Sequence, residues 1–474
     1  SMSKDMSPEE FRRYGHQVVD WIADYLAGVG DYPVLAQVSP GEIAAALPAE
    51  APEGGEAMDA ILADFERVII PGITHWNHPG FFAYFAISSS APGILGEMLA
   101  AALNVNAMLW RTSPAATELE ERALDWLRQM LGLPAGFGGT IQDTASLSSL
   151  VAIAAARERA TGGDPDLVPR LRLYCSEEAH SSIPKAAITL GLGREATRLI
   201  PTDAEFRMDS AALAAAIRED QGRGLTPFCV VATTGTTSTT SIDPVGEIAE
   251  ICEREGLWLH VDAAYGGAAA LVPELRGRFA GWERADSIVV NPHKWLFTPI
   301  DCSALLLREP ESVRRAFSLV PEYLTTPEGE HVTNLMDYGP ALGRRFRSLK
   351  LWMVLRYFGR EGIAERLQEH MQLAQAFAGW VDAEPDWERL APVPFSTVVF
   401  RCRPAGTSGA EADVLNERLL EAVNASGEVF LSHTRLRGRY ALRLAIGNLR
   451  TTEAHVRRAW ELLQESGARS QKSE

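Results

Sequence analysis

The chain has 474 residues, 46% of them hydrophobic, enough to build a large core shared by two or three structural units. Its formal net charge of −17, with no notable run of Lys or Arg, argues against nucleic-acid binding. No stretch reaches the ~18 consecutive apolar residues of a membrane span. The five cysteines (Cys175, Cys229, Cys252, Cys302, Cys402) form no CxxC pair, which suits a reducing, cytoplasmic setting and not a disulfide frame or thiolate zinc site. Ser1 ahead of Met2 is set aside as foreign to the natural start, and no apolar signal core follows it.

Ser7-Pro8-Glu9-Glu10 predicts a helix start with a capping box. Phe11, Tyr14, Val18, Trp21, Ile22 and Tyr25 then share one helical face, suited to packing on the chain's own core or on a second subunit. Residues 47–57 read as a linker and 58–70 as a helix. The patch from Thr74 to Phe85 is rich in aromatics in irregular chain and suggests a pocket wall; no acidic or thiolate residue stands near His75 and His78 to make them metal ligands. Helices are expected over 93–109 and 115–131.

From about residue 140 strands and helices alternate: a strand into Thr144-Ala145-Ser146, an Ala-rich helix to about 160, strand 171–175, helix 182–190, strand 197–200, helix 209–219, strand 228–233, helix 245–255 and strand 257–262. This pattern predicts a mostly parallel sheet covered on both faces. Apolar runs 287–290 and 302–307 follow. Residues 318–340 read as a long irregular loop, which in a compact protein is functional or disordered. A helix over about 345–380 precedes a small α+β unit with strands near 395–402, 427–431 and 439–446 and helices near 411–424 and 451–466.

In open parallel sheets ligands bind at the carboxyl ends of the strands. Lys294, in Asn291-Pro292-His293-Lys294-Trp295, stands between two apolar strands; it is either a solvated loop lysine or a desolvated one able to form a Schiff base. Asp262 closes an apolar strand, either as a helix cap or as the partner of a cation such as a protonated pyridine. Small residues at Thr144-Ala145-Ser146 would let a phosphate approach a helix N-terminus, or serve only as a cap. The hydroxyl-rich Thr233–Thr240 stretch is a second strand end or a plain polar turn. His180 could stack on a flat cofactor, or sit in water. Phosphate, pyridinium and aldehyde carbon together are what pyridoxal phosphate presents.

The motifs Ile73-Thr74-His75-Trp76, Phe81-Phe82-Ala83-Tyr84-Phe85, Ala179-His180-Ser181-Ser182, Thr236-Thr237-Ser238-Thr239, His260-Val261-Asp262-Ala263-Ala264-Tyr265, Asn291–Trp295 and Leu342–Lys350 occur in one order along nearly the whole chain. With them the sequence resembles the aromatic-L-amino-acid decarboxylase family, the group II pyridoxal-phosphate-dependent decarboxylases. The resemblance implies an α/β, aspartate-aminotransferase-like fold (fold type I). Its expected parts are an N-terminal helical dimerisation segment (1–90), a large cofactor-binding domain (91–355) and a small C-terminal α+β domain (356–474).

It further implies Lys294 as the Schiff-base lysine, Asp262 on the pyridine nitrogen, His180 stacked on the ring and Ala264 on the opposite face. Ala145, Ser146, His293 and Asn291 are implied phosphate contacts, with Thr237 near the cofactor edge. Tyr323, in the 318–340 loop, is the implied proton donor to Cα. The implied substrate pocket takes Trp76, Tyr84, Phe85, Ile87, His180 and Trp295, with Asn106, Met108, Ile300 and Gly343 coming from the second subunit of a homodimer. Ile87, Asn106, Met108 and Ile300 depart from the residues usual in animal dopa decarboxylases, leaving tryptophan, phenylalanine, tyrosine and dopa all open as substrates. Aldehyde synthases of the family tend to replace the loop tyrosine or the stacking histidine, and this chain keeps both, so the expected products are an amine and CO2. A non-catalytic protein on the same fold is the alternative of a different class.

Overall fold

The computed structural model describes residues 4–319 and 325–472, so Tyr323 falls outside the described residues. Among these, twelve strands form two sheets. In chain order they are β1 (Phe81–Phe82), β2 (Gly138–Gln142), β3 (Leu171–Ser176), β4 (Thr197–Ile200), β5 (Thr226–Thr233), β6 (Trp258–Asp262), β7 (Ser287–Val290), β8 (Ser303–Leu307), β9 (Trp387–Arg389), β10 (Thr397–Cys402), β11 (Phe430–Leu436) and β12 (Arg439–Ala445).

The large sheet runs β2-β8-β7-β6-β5-β3-β4. Every pairing is parallel except the two made by β8. Its central strands are apolar on both faces: β6 and β7 are buried throughout, as strands sandwiched between helix layers must be. The Ala145–Thr161 helix buries Val151–Ala156 against this sheet, and its start is capped by Thr144, which accepts from the Leu147 amide at 3.4 Å. Because β8 runs antiparallel, its first residue, Ser303, lies opposite Gln142 at the carboxyl edge of the parallel strands. That edge therefore collects chain segments from β2, β3, β5, β6, β7 and β8.

The small sheet runs β1-β11-β12-β10-β9. Neither β1 nor β9 is predicted from sequence. With two and three residues they carry no alternation of their own and exist through their partners, β1 pairing parallel to Phe430–Leu431 and β9 antiparallel to β10. The N-terminal aromatic patch is thus stitched to the C-terminal sheet. The helix expected over 93–109 stops at Leu103, where Asn104 takes a left-handed conformation (φ 45°) and closes it. Val105–Thr112 is irregular chain held by side chains, with Thr112 Oγ1 donating to the Asn106 carbonyl at 2.6 Å.

The capping box at Ser7 and Glu10 forms. Part of the aromatic stripe packs within the chain: Trp21 stacks on Tyr25 at 5.1 Å and meets Phe65 edge-on, while Phe11 stays exposed. The long helix starts at Ser348, three residues after its expected start, and runs to Ala383 with a break at Gly359, whose φ of 68° is left-handed.

One buried ion pair ties the irregular 105–112 segment to the large sheet. Arg344 Nη2 lies 2.8 Å from Glu120 Oε2, with side-chain exposures of 6% and 2%. Glu120 also accepts from the Ile141 amide at 3.0 Å, and Arg344 donates to the carbonyls of Ile141 (2.8 Å) and Ala107 (3.3 Å). Removing one partner of such a pair strands the other charge without compensation. Arg344→Met is expected to destabilise the fold by about 3–5 kcal/mol, read as a lowered midpoint of thermal unfolding; an unchanged midpoint would show that the pair carries no stability.

Candidate active site

Strand β7 delivers its buried run to Asn291, after which Pro292–Trp295 makes one helical turn that carries Lys294. The Lys294 ammonium sits 5.1 Å from the centroid of the Phe85 ring. Burial pushes its pKa below the ordinary lysine value, and the Asp262 carboxylate opposes that shift. Asp262 ends β6, paired in register with Val289 of β7, so adjacent parallel strands bring acid and lysine to one edge. Its Oδ1 accepts from the Ala264 amide at 3.2 Å, and the Ala264 carbonyl accepts from the Asn291 amide at 2.9 Å, locking the two strand ends together.

His180 follows β3. Its Nδ1 accepts from the Ser182 amide at 3.1 Å and lies 2.8 Å from Ser182 Oγ, which leaves Nε2 as the proton-bearing nitrogen of the neutral ring. Burial lowers its pKa; Asp262 raises it and Lys294 lowers it. Lys294, Asp262 and His180 therefore share one electrostatic neighbourhood.

A second group lies at the start of the Ala145–Thr161 helix. Ser303 Oγ donates to Asn291 Oδ1 at 2.6 Å and lies 2.8 Å from Ser148 Oγ, linking the lysine loop to that helix. The Cys302 amide donates to His293 Nδ1 at 2.9 Å. Burial, reinforced by Lys294, pushes the His293 pKa down to about 4, so the ring is neutral near pH 7 with its proton on Nε2. Asn291 Nδ2 stands 3.4 Å from that nitrogen. Two N–H donors this close call for one acceptor within reach of both, and an anionic oxygen supplies one. Ala145 and Ser146 lie in the first turn of the helix whose Ser148 reaches Ser303, where amides and dipole favour an anion. The donor pair, the carboxylate and the low-pKa lysine fit the phosphate, ring nitrogen and aldehyde carbon of pyridoxal 5'-phosphate. Thr237 lies exposed on the loop after β5, and Ala264 is buried beside Asp262.

The aromatic wall is layered. Phe85 stacks on Tyr265 at 4.2 Å and 8°, and Tyr265 stacks on Trp295 at 4.6 Å. Trp295 is expected on the pocket surface but is fully buried behind Tyr265, with its indole N–H donated to His370 Nδ1 at 3.1 Å. A large ring with its one polar group satisfied inside is core. Trp76 stacks loosely on the exposed Tyr84 at 6.0 Å, and Ile87 is half-buried two residues beyond Phe85.

Asn106, Met108, Gly343 and Ile300 form no hydrogen bond to the lysine group among the described residues. Asn106 Oδ1 accepts from the Arg344 amide at 3.0 Å, its Nδ2 lies 3.7 Å from where a Cβ on Gly343 would stand, Met108 packs with Leu109 and Met336, and Ile300 is exposed. His75 meets Tyr25 Oη at 2.7 Å, and His78 Nδ1 accepts from the Gly80 amide at 2.8 Å; no three metal ligands cluster among the described residues. Two buried groups were not singled out from sequence: Tyr265 as the middle ring of the stack, and Arg443, whose guanidinium lies 5.3 Å from the Phe85 centroid. An arginine between Leu442 and Leu444 in an apolar strand is the signal that was available.

The pyridoxal-dependent decarboxylase conserved domain matches residues 40–403. A phenylacetaldehyde synthase of Arabidopsis thaliana is 42% identical, covering 98% of this chain and 97% of its own length. An aromatic-L-amino-acid decarboxylase of Bos taurus is likewise 42% identical, covering 98% and 97%. The crystal structure of Oryza sativa TDC with PLP and tryptamine superposes with a TM-score of 0.96 at 38% identity, covering 99% of both chains.

Because Asp262 raises the Lys294 pKa, its removal has a definite sign. In cofactor-free protein, Asp262→Asn is expected to lower the pH at which Lys294 is trapped by an aldehyde and borohydride. A midpoint that stays or rises would show that the carboxylate does not act on the ammonium.

Proposed function

The chain belongs to the pyridoxal-dependent decarboxylases, and from that premise we propose that it removes the carboxylate of an aromatic L-amino acid to release an amine and CO2. It is a pyridoxal-phosphate-dependent carboxy-lyase. The observation that carries the reading is the Lys294–Asp262–His180 neighbourhood at the strand ends. When bound, pyridoxal 5'-phosphate supplies the electron sink for the pair left on Cα as the Cα–carboxylate bond breaks.

The chain's residues do the rest. Lys294, its pKa lowered by burial, offers a neutral amine to hold the aldehyde carbon. Asp262 keeps a proton on the ring nitrogen. Ala264 and Thr237 would help hold the ring. His180 would stack on the cofactor and present its Nε2–H to the substrate carboxylate, orienting it for loss. Ala145, Ser146, Asn291 and His293 hold the phosphate. Tyr323, which lies outside the described residues, would deliver the proton that replaces the carboxylate on Cα.

Phe85, Tyr84, Trp76 and Ile87 make the apolar wall for the side chain. Asn106, Met108, Ile300 and Gly343 complete it from a second copy. Supporting a homodimer, Leu95, Met98, Leu99, Leu103 and Ile300 are exposed apolar side chains on and near the Ala91–Leu103 helix. The free, buried state of all five cysteines supports a cytoplasmic setting. No helix among the described residues is long and apolar enough to cross a membrane.

An aldehyde-forming reaction is the second reading, favoured by the similarity to a phenylacetaldehyde synthase. The presence of both Tyr323 and His180 supports the amine-forming one. Given a panel of aromatic L-amino acids in air, the protein is expected to form amine without hydrogen peroxide, and Tyr323→Phe to lose amine and gain aldehyde. Stoichiometric peroxide from the wild type would overturn the assignment. Sedimentation is expected to show a dimer; a stable, active monomer would remove the second copy from the pocket.

A further inference from the structure

Arg443 is a buried cation that the reaction above leaves without a task. It stands inside β12 with a relative exposure of 4%, opposite Ser432 of β11 in the cross-strand register. No carboxylate pairs with it among the described residues, and burial pushes its guanidinium down to about 10. Burying an unpaired guanidinium is costly. Its donors go instead to three separate segments: Nη1 to Ser432 Oγ at 2.9 Å and to the Tyr84 carbonyl at 3.2 Å, and Nε to the Ser238 carbonyl at 2.9 Å. Nη2 has no partner among the described residues.

Two of those segments border the site. Ser238 adjoins Thr237. Tyr84 holds a left-handed conformation with φ 52°, unusual for an aromatic residue. Its amide donates to Ser432 Oγ at 3.1 Å, so the cross-strand pair grips the residue at both its N–H and its C=O. Strained backbone of this kind persists where the surroundings over-determine it. The turn at Tyr84 sends its ring outward and folds Phe85 back onto Tyr265 and toward Lys294.

We propose that Arg443 is a positioning residue: with Ser432 it clamps the Tyr84 peptide and the Ser238 carbonyl, and so fixes the Phe85 ring against Lys294. It acts through these segments, without touching substrate. The inference rests on the proposed function only in taking Lys294 as the reacting lysine.

A lysine at 443 has one nitrogen in place of the two, Nε and Nη1, that reach the Ser238 carbonyl and the Ser432–Tyr84 pair, so it cannot hold both sides together. Arg443→Lys is expected to keep the far-UV circular dichroism and the cofactor, to change the near-UV circular dichroism of the Phe85–Tyr265–Trp295 stack even in cofactor-free protein, and to lower kcat about 100-fold with KM unchanged. Glycine adopts the left-handed form without steric cost. In a Tyr84→Gly background the same substitution is therefore expected to lower kcat by much less, a coupling that a double-mutant cycle reads directly. Ser432→Ala loosens the same grip without altering a buried charge, and is expected to move the near-UV band in the same direction; it carries the test if Arg443→Lys does not fold. A rise in KM alone would make Arg443 a substrate ligand and overturn the proposal. So would equal losses in both backgrounds, or an unchanged near-UV spectrum in Ser432→Ala. If the wild type forms neither amine nor aldehyde, the functional reading fails, yet the cofactor-free spectra still decide the role of Arg443.

Discussion

The opposition of burial and Asp262 at Lys294 is the constraint on which the rest of the structure depends. An ammonium surrounded by protein favours its neutral form, and a neighbouring carboxylate favours the charged one. Holding both in reach of one another requires rigid supports, and adjacent parallel strands provide them. Asp262 and Val289 are register partners, and the Ala264 and Asn291 backbones bond across the gap beyond them. Any slip of β6 against β7 would move the carboxylate off the amine, so the apolar, fully buried faces of these strands serve the chemistry by preventing that slip.

The antiparallel strand β8 makes a second contribution. It returns the chain to the same edge, so that Ser303 and Cys302 meet Asn291 and His293. The Cys302 amide fixes the His293 tautomer, and Ser303 fixes the Asn291 amide. Both side chains are thereby left as neighbouring donors, 3.4 Å apart. A parallel strand in this position would put residue 303 at the opposite edge and leave Asn291 and His293 without these partners.

Much of this was legible in the sequence. Lys294, Asp262 and His180 each follow an apolar run of strand length, and runs buried on both faces are the strongest pattern a parallel sheet leaves. The 245–255 helix and the 197–200 and 287–290 strands fall where the periodicity puts them. The features that escaped depend on partners distant in the chain. β1 has two residues and exists because Phe430–Leu431 lies beside it. The apolar residues of 104–109 continue a helical pattern, but Asn104 ends the helix, and Arg344, far along the chain, holds the Ala107 carbonyl in the irregular segment beyond. Trp295 sits in a reactive motif yet is core, because Tyr265 lies between it and Phe85. Arg443 was missed since an arginine normally faces solvent, whereas this strand is buried on both faces.

These distant contacts divide the site into halves with different physical origins. The half proposed to hold the cofactor is set by neighbouring strand ends of one sheet, and its geometry follows from register. The half proposed to meet the substrate is built from Trp76–Ile87, drawn in by β1 and by the Ser432–Arg443 pair, and from Asn106 and Gly343, held by Arg344 and Glu120. None of these last contacts enters the electrostatics of Lys294. A change of shape at Asn106 or Gly343 therefore leaves the lysine's pKa where burial and Asp262 put it. Phe85 is the exception, since it belongs to the wall and also faces the ammonium. Through that ring the small sheet reaches Lys294, and a shift at Tyr84 is carried to the half proposed to hold the cofactor.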